Sequence, residues 1–292
     1  MKLTLINAKT DLGVMVDGSN YGPDAISNHF KEDRRINKII TIEKQNIVKS
    51  KDKLDLEKNL DGVNEFNKRL YDVVLSEKQE NNFPIILGGD HSLAIATALS
   101  SIKNEQNLGI IWIDSHGDYN TFETTRTGNL HGLPLAATNN QTGNKLTSYH
   151  NGNYYNPKNT VIVGARDIDD WEMPNIEKNN VTVFTTQDIK VQGIDIIIKK
   201  AMAIALNGTK GVHISYDLDV IDPKIAPGVS VPAKDGINEE EAYLILDEVL
   251  KYKNDIKSFD LVELNPTKDI DHKTENIAVN LLDKLVSSLT NN

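Results

Sequence analysis

The sequence predicts an α/β fold with a central, mainly parallel sheet and helices on both faces. Three observations carry that expectation. Short β-branched apolar runs alternate with longer amphipathic segments along the whole chain. The runs are almost continuously apolar, as suits strands covered on both faces. Three acidic motifs each follow directly on such a run, at the strand ends where open α/β sheets bind ligands.

In chain order, the first strand is expected over 1–8, a segment too short and too quickly polar for a signal peptide. Gly22-Pro23-Asp24 opens a helix with proline near its first position. Leu56, Leu60, Val63, Phe66, Leu70 and Val73 recur at steps of three or four and mark one face of the next. Strands are expected at 84–87, 108–113, 160–164, 181–184, 211–216 and 258–262. Further helices are expected at about 91–102, 194–206, 239–252 and 277–289, with Asn238 as an N-cap before Glu239-Glu240-Glu241. The Asn- and Gly-rich stretch 139–159 reads as a surface loop. With no repeat and no low-complexity linker, residues 1–292 are expected to form a single domain.

Composition narrows the function. Apolar residues make up 39 % of the 292, enough for a sizeable core, and the formal net charge is -10. Nucleic acid and anionic membranes both need a basic face, so neither is an expected partner. The absence of cysteine removes disulfides, thiolate zinc sites and cysteine nucleophiles together, and is compatible with a cytoplasmic protein. No apolar run approaches the roughly 20 residues of a membrane helix.

The chemistry lies in Gly88-Gly89-Asp90-His91-Ser92, Asp114-Ser115-His116-Gly117-Asp118 and Asp217-Leu218-Asp219. Alternate side chains on an extended segment share a face, so Asp114, His116 and Asp118 can converge, as can Asp217 and Asp219. Alone, each motif reads equally as a turn or a capped helix start. Together, after strands of one sheet, their ionisable groups would be costly to gather without cations to pair them. Carboxylates with a few imidazoles suit Mn²⁺ or Mg²⁺, with zinc also possible. A divalent metal pair ionises water near neutral pH, so a hydrolase is expected.

These motifs resemble the ureohydrolase family (arginase, agmatinase and formimidoylglutamase), most closely its arginase branch. The match runs from Gly22-Pro23 to Glu263-Leu264-Asn265-Pro266. The resemblance implies a three-layer α/β/α sandwich, two manganese ions per chain, a small amino-acid substrate and a homo-oligomer, trimer or hexamer. By motif position, His91, Asp114, Asp118 and Asp217 would hold one ion. His116, Asp114, Asp217 and Asp219 would hold the other. Ser115 stands where the family usually has alanine and, being small, is expected to matter little. Asp118 would orient the nucleophile, Glu263 would bind the guanidinium and His131 would shuttle the proton. Asn120, Thr127 and Asn129 resemble the contacts to an α-carboxylate; Asp169 and Glu172 resemble those to an α-amino group. The activity implied is cleavage of L-arginine to L-ornithine and urea. Val231 departs from the threonine usual before Pro232, which leaves formimidoylglutamase, agmatinase and other guanidino-acid hydrolases open.

Overall fold

The computed structural model describes every residue except Met1, Asn46, Gln106 and Asn292. Eight strands among the described residues form one sheet: β1 (Lys2–Lys9), β2 (Ile36–Glu43), β3 (Asn82–Gly88), β4 (Gly109–Ile113), β5 (Thr160–Ala165), β6 (Thr182–Thr185), β7 (Val212–Asp217) and β8 (Ile256–Val262). Their order is β2-β1-β3-β8-β7-β4-β5-β6, and every strand pairing is parallel. The helices are α1 (Gly22–Ser27), α2 (Leu60–Gln79), α3 (Ala94–Ile102), α4 (Pro134–Thr138), α5 (Met173–Asn179), α6 (Thr186–Gln192), α7 (Ile194–Ala205), α8 (Glu239–Leu250) and α9 (Lys273–Thr290).

Strand alternation sends side chains to two separate cores. Ile111 and Ile113 of β4 join Ile26, Ile197, Leu246 and Leu281 from α1, α7, α8 and α9. Ile110 and Trp112 join Val63, Phe66, Leu70 and Leu99 from α2 and α3. The result is the three-layer arrangement, helices over both faces of a buried parallel sheet. Truncating a fully buried side chain such as Leu99 to alanine would cost about 2–5 kcal/mol.

Several boundaries differ from the sequence expectation, each for a local reason. The first strand runs on to Lys9, while its expected first residue lies outside the described residues. Strand β2 carries no strong signal because it is an edge strand, half-buried along most of its length. Helix α2 starts at Leu60, not Leu56, since Asn59 before it is left-handed (φ 64°). The helix expected from His91 begins with one 3₁₀ turn, His91–Leu93, before α3. Asn238 does cap α8: its side chain accepts from the Glu241 N–H at 2.9 Å, and Glu241 accepts from the Asn238 N–H at 2.8 Å.

Order in the sheet is what builds a site. Strands β3, β8, β7 and β4 are neighbours, although β8 and β7 come far later in the chain than β3 and β4. Their carboxyl ends therefore bring together the residues that follow each strand: His91, Glu263, Asp217 with Asp219, and Asp114 to Asp118.

Candidate active site

His91 leaves β3 through a tight turn. Gly89 is required there, because a Cβ would lie 1.7 Å from the Thr10 carbonyl oxygen. Asp90 caps the turn, accepting from the N–H groups of Ser92 and Gly13, both at 3.0 Å. The His91 ring stacks on Trp112 with centroids 4.0 Å apart and planes 9° apart. Its Nε2 lies 2.8 Å from Ser215 Oγ. Its Nδ1 faces Asp114, Asp118 and Asp217, with Oδ2 atoms at 3.0, 3.2 and 3.0 Å.

A second group adjoins the first through Asp114. His116 Nδ1 lies 3.4 Å from Asp114 Oδ1 and 3.0 Å from Asp219 Oδ2. Asp114 also accepts from the His116 N–H at 2.7 Å and from Trp112 Nε1 at 2.9 Å. The Asp219 N–H donates to Asp217 Oδ1 at 2.7 Å. Ser115 is not the bystander that its size suggested: its hydroxyl donates to Asp219 Oδ1 at 2.7 Å and lies 3.0 Å from His116 Nδ1.

The electrostatics follow from burial and crowding. Burial opposes protonation of His91, but Asp114, Asp118 and Asp217 outweigh it and hold the imidazole well above its usual range. Burial and the adjacent Asp114 push Asp118 up to about 6, against the pull of His91. Burial, with Asp219 and Asp114 close by, also raises Asp217 well above the usual carboxylate range. Like charges desolvated together raise one another in this way.

These residues fit a divalent cation. His91 Nδ1 is buried among three carboxylate oxygens yet directs no hydrogen bond at any of them. A nitrogen ringed by carboxylate oxygens, with hydrogen-bond geometry to none of them, is the arrangement that a shared cation would satisfy. The donors are carboxylate oxygens and imidazole nitrogens, grouped as His91–Asp114–Asp118 and Asp114–His116–Asp219.

A cavity of about 190 Å³ opens above the cluster, lined by residues that include His116, Asp118, Asn120, Thr127, Asn129, His131, Asp169, Glu172 and Val231. The sequence-predicted polar residues therefore share one pocket, and Val231 faces it too. The Asn120 amide donates to Asp169 at 3.1 Å, tying the two walls together. Glu172 accepts from the N–H groups of Tyr119 and Asp169, the latter at 3.3 Å. Burial pushes Glu172 up to about 8, the Tyr119 N–H opposing and Asp118 adding. A larger cleft of about 640 Å³ lies elsewhere, lined by Lys78, Phe83, Lys253 and Lys257, and gathers no carboxylates.

Glu263 lies behind His131, buried outside the cavity lining. One oxygen accepts from the His91 N–H at 2.9 Å and lies 3.2 Å from His131 Nδ1; the other is buried without a partner. Burial opposes protonation of His131, but Glu263 outweighs it and raises the ring above its usual value. Asp118 (φ 50°) and Glu263 (φ 68°) both hold left-handed backbone, strain worth on the order of 1–3 kcal/mol each that clusters at functional positions.

Four supporting residues escaped the sequence reading. Trp112 and Ser215 orient His91. Arg166 fans its guanidinium over the carbonyls of Val220, Asp219 and Ala233 at 2.9, 2.8 and 2.9 Å and so fixes the loop after β7. Lys58 donates to the carbonyl of Thr127 from behind the pocket wall. Only Ser215 left a usable signal, lying two residues before Asp217 on the same strand face.

Comparison with known proteins agrees with this geometry. The family described as "Arginase family" matches residues 1–287. An arginase of Bacillus subtilis (strain 168) is 38 % identical over 292 residues, covering 97 % of each chain. A crystal structure of arginase from Bacillus subtilis superposes with TM-score 0.86 at 33 % identity, covering 100 % of this chain and 99 % of that one. That of Entamoeba histolytica arginase in complex with L-ornithine gives 0.88 at 28 % identity, covering 98 % and 97 %. With fold, strand-end cluster and relatives in agreement, the chain belongs to the arginase family.

Proposed function

We infer that this protein is an arginase, hydrolysing L-arginine to L-ornithine and urea with two manganese ions per chain. One observation carries the substrate assignment. A single pocket of about 190 Å³ gathers His116 and Asp118 of the cluster, the neutral Asn120, Thr127 and Asn129 that follow β4, and Asp169 and Glu172 that follow β5. Neutral donors for a carboxylate face acids for an ammonium, which suits the zwitterionic end of an amino acid. Agmatine, which lacks the carboxylate, would leave one wall unused.

In this reading His91, Asp114, Asp118, Asp217 and His116, Asp114, Asp217, Asp219 hold the two ions. A divalent pair supplies Lewis acidity that brings a water toward ionisation near neutral pH. Asp118 would accept a hydrogen bond from the attacking water and aim it. Glu263 offers its unpartnered buried oxygen to the guanidinium, fixing the substrate plane by a charge-assisted hydrogen bond. Its other oxygen is already committed to the His91 N–H and to His131, so the carboxylate cannot rotate away. His131, kept protonated more readily by Glu263, delivers the proton that the departing amine requires. The same proposal includes one domain spanning 1–292, assembled as a cytoplasmic trimer or hexamer.

Urea release from L-arginine after manganese loading tests the reading, run beside urea release from agmatine and 4-guanidinobutyrate and formamide release from N-formimino-L-glutamate. L-arginine is expected to be the fastest substrate. Preference for the formimino compound would overturn the assignment and would point to Val231, whose apolar side chain replaces a hydroxyl at the pocket wall.

A further inference from the structure

The pocket holds an electrostatic problem. Its lining includes Asp118, Asp167, Asp169 and Glu172, but no lysine and no arginine. A substrate carboxylate entering there meets neutral Asn120, Thr127 and Asn129 within an acid-rich surround. With Asp118 committed to the metal cluster and Glu172 pushed up to about 8 by burial, Asp167 and Asp169 are the remaining acids that a substrate carboxylate meets in the pocket.

A cation stands at the rim. Arg126 immediately precedes Thr127 on one wall, and its guanidinium carbon lies 4.6 Å from the ring centroid of Trp171. Trp171 sits between Asp169 and Glu172 on the other wall. The Arg126 side chain thus links the pocket-lining segment that follows β4 to the one that follows β5. It makes no ion pair and no hydrogen bond among the described residues, and Trp171 beneath it is 39 % exposed. A guanidinium laid on an aromatic face keeps its N–H edges free for a planar carboxylate. Its seat is firm from behind as well: Lys58, 2 % exposed, donates to the carbonyls of Thr127 and Asp55. The backbone carrying Arg126 is therefore anchored while the side chain remains available.

We propose that Arg126, held on Trp171, is a specificity-determining residue that selects substrates with a free carboxylate at the mouth of the pocket. This rests on the arginase reading of the site and assigns it a cation that the pocket lining lacks. Being at the rim, the interaction acts on substrate capture more than on the chemical step, and salt screens it.

The test compares Arg126→Gln, Arg126→Lys and Trp171→Ala with the unaltered protein, all manganese-loaded. The ratio of kcat/KM for L-arginine over agmatine is expected to fall about tenfold in Arg126→Gln, through KM for L-arginine. Arg126→Lys should recover part of the ratio and Trp171→Ala should lose part of it. The Arg126→Gln effect should shrink at high salt. Calorimetry with L-ornithine and putrescine should show the same loss of carboxylate preference without any turnover. Equal changes for both substrates, or none for either, would overturn the proposal. Failure of the unaltered protein to hydrolyse L-arginine would sink the arginase reading instead. In that event the two product-like ligands still report whether Arg126 senses a carboxylate.

Discussion

His91 and His116 face the same carboxylate, Asp114, from opposite kinds of environment. His91 lies wholly within the core, stacked on Trp112 and held through Nε2 by Ser215. The His116 side chain is 20 % exposed and lines the pocket, although its Nε2 is buried without a hydrogen-bond partner, 3.9 Å from Asp167. His91 is an extension of the hydrophobic core; His116 is part of the lining of the substrate cavity. The difference teaches that the site is anchored on one side and open on the other. A rigid half fixes ligand positions within tenths of an ångström, while the open half meets solvent and substrate.

The comparison is broken most severely at the carboxylate common to both halves. Asp114→Asn is expected to lower kcat/KM by on the order of a thousandfold and to reduce bound metal. Retention of a tenth of the activity with full metal content would show that the halves are independent. A smaller effect separates them. In the presence of chelator, His91→Ala should lose about 3 kcal/mol of stability because it opens a cavity against Trp112. His116→Ala, at the pocket surface, should lose about 1 kcal/mol by the same scale. Equal denaturation midpoints for the two variants would refute the asymmetry.

The supporting atoms sharpen it further. Ser215→Ala leaves a buried imidazole nitrogen unpaired, at a cost of about 1–3 kcal/mol. Asp167→Asn, beside exposed His116, should change stability by less than about 0.5 kcal/mol. Chemical denaturation of both variants tests the contrast directly. An ion pair outside both halves serves as the baseline. Lys49, with Lys51 adding, holds Asp17 down to about 2, so its stabilisation is present above the ordinary carboxylate value and is lost as pH falls toward about 2. Because Asp17 is 61 % exposed, Lys49→Gln should cost at most about 1 kcal/mol at pH 7. The difference should narrow below pH 4; a constant gap would mean that Lys49 acts through its bonds to the carbonyls of Asp11 and Val16.

Much of this was legible beforehand because it is written in local patterns. Apolar runs announced the strands on either side of Asp114, His116 and Asp118, but these three come together through a bend after β4, with Asp118 left-handed, and not through the extended alternation expected. Strand β2 and helices α5 and α6 were not legible. The strand is half-buried at the edge, and the two helices are seven residues each, too short to show a periodic face. The weight of Ser115 was missed because its partner, Asp219, is remote in sequence. Arg126 and Trp171 gave no hint of each other for the same reason.

By itself the sequence determined which chemical groups are present and at which end of the strands they emerge, since both follow from residue type and from the place of each motif directly after an apolar run. Only the tertiary structure decided that β8 and β7 insert between β3 and β4. That order is set by how the crossover helices pack on the two faces of the sheet, an interaction among distant segments that no local window contains. It carries Glu263 to within 3.2 Å of His131 and Asp217 to within 3.0 Å of His91, and so turns separate acidic turns into one site.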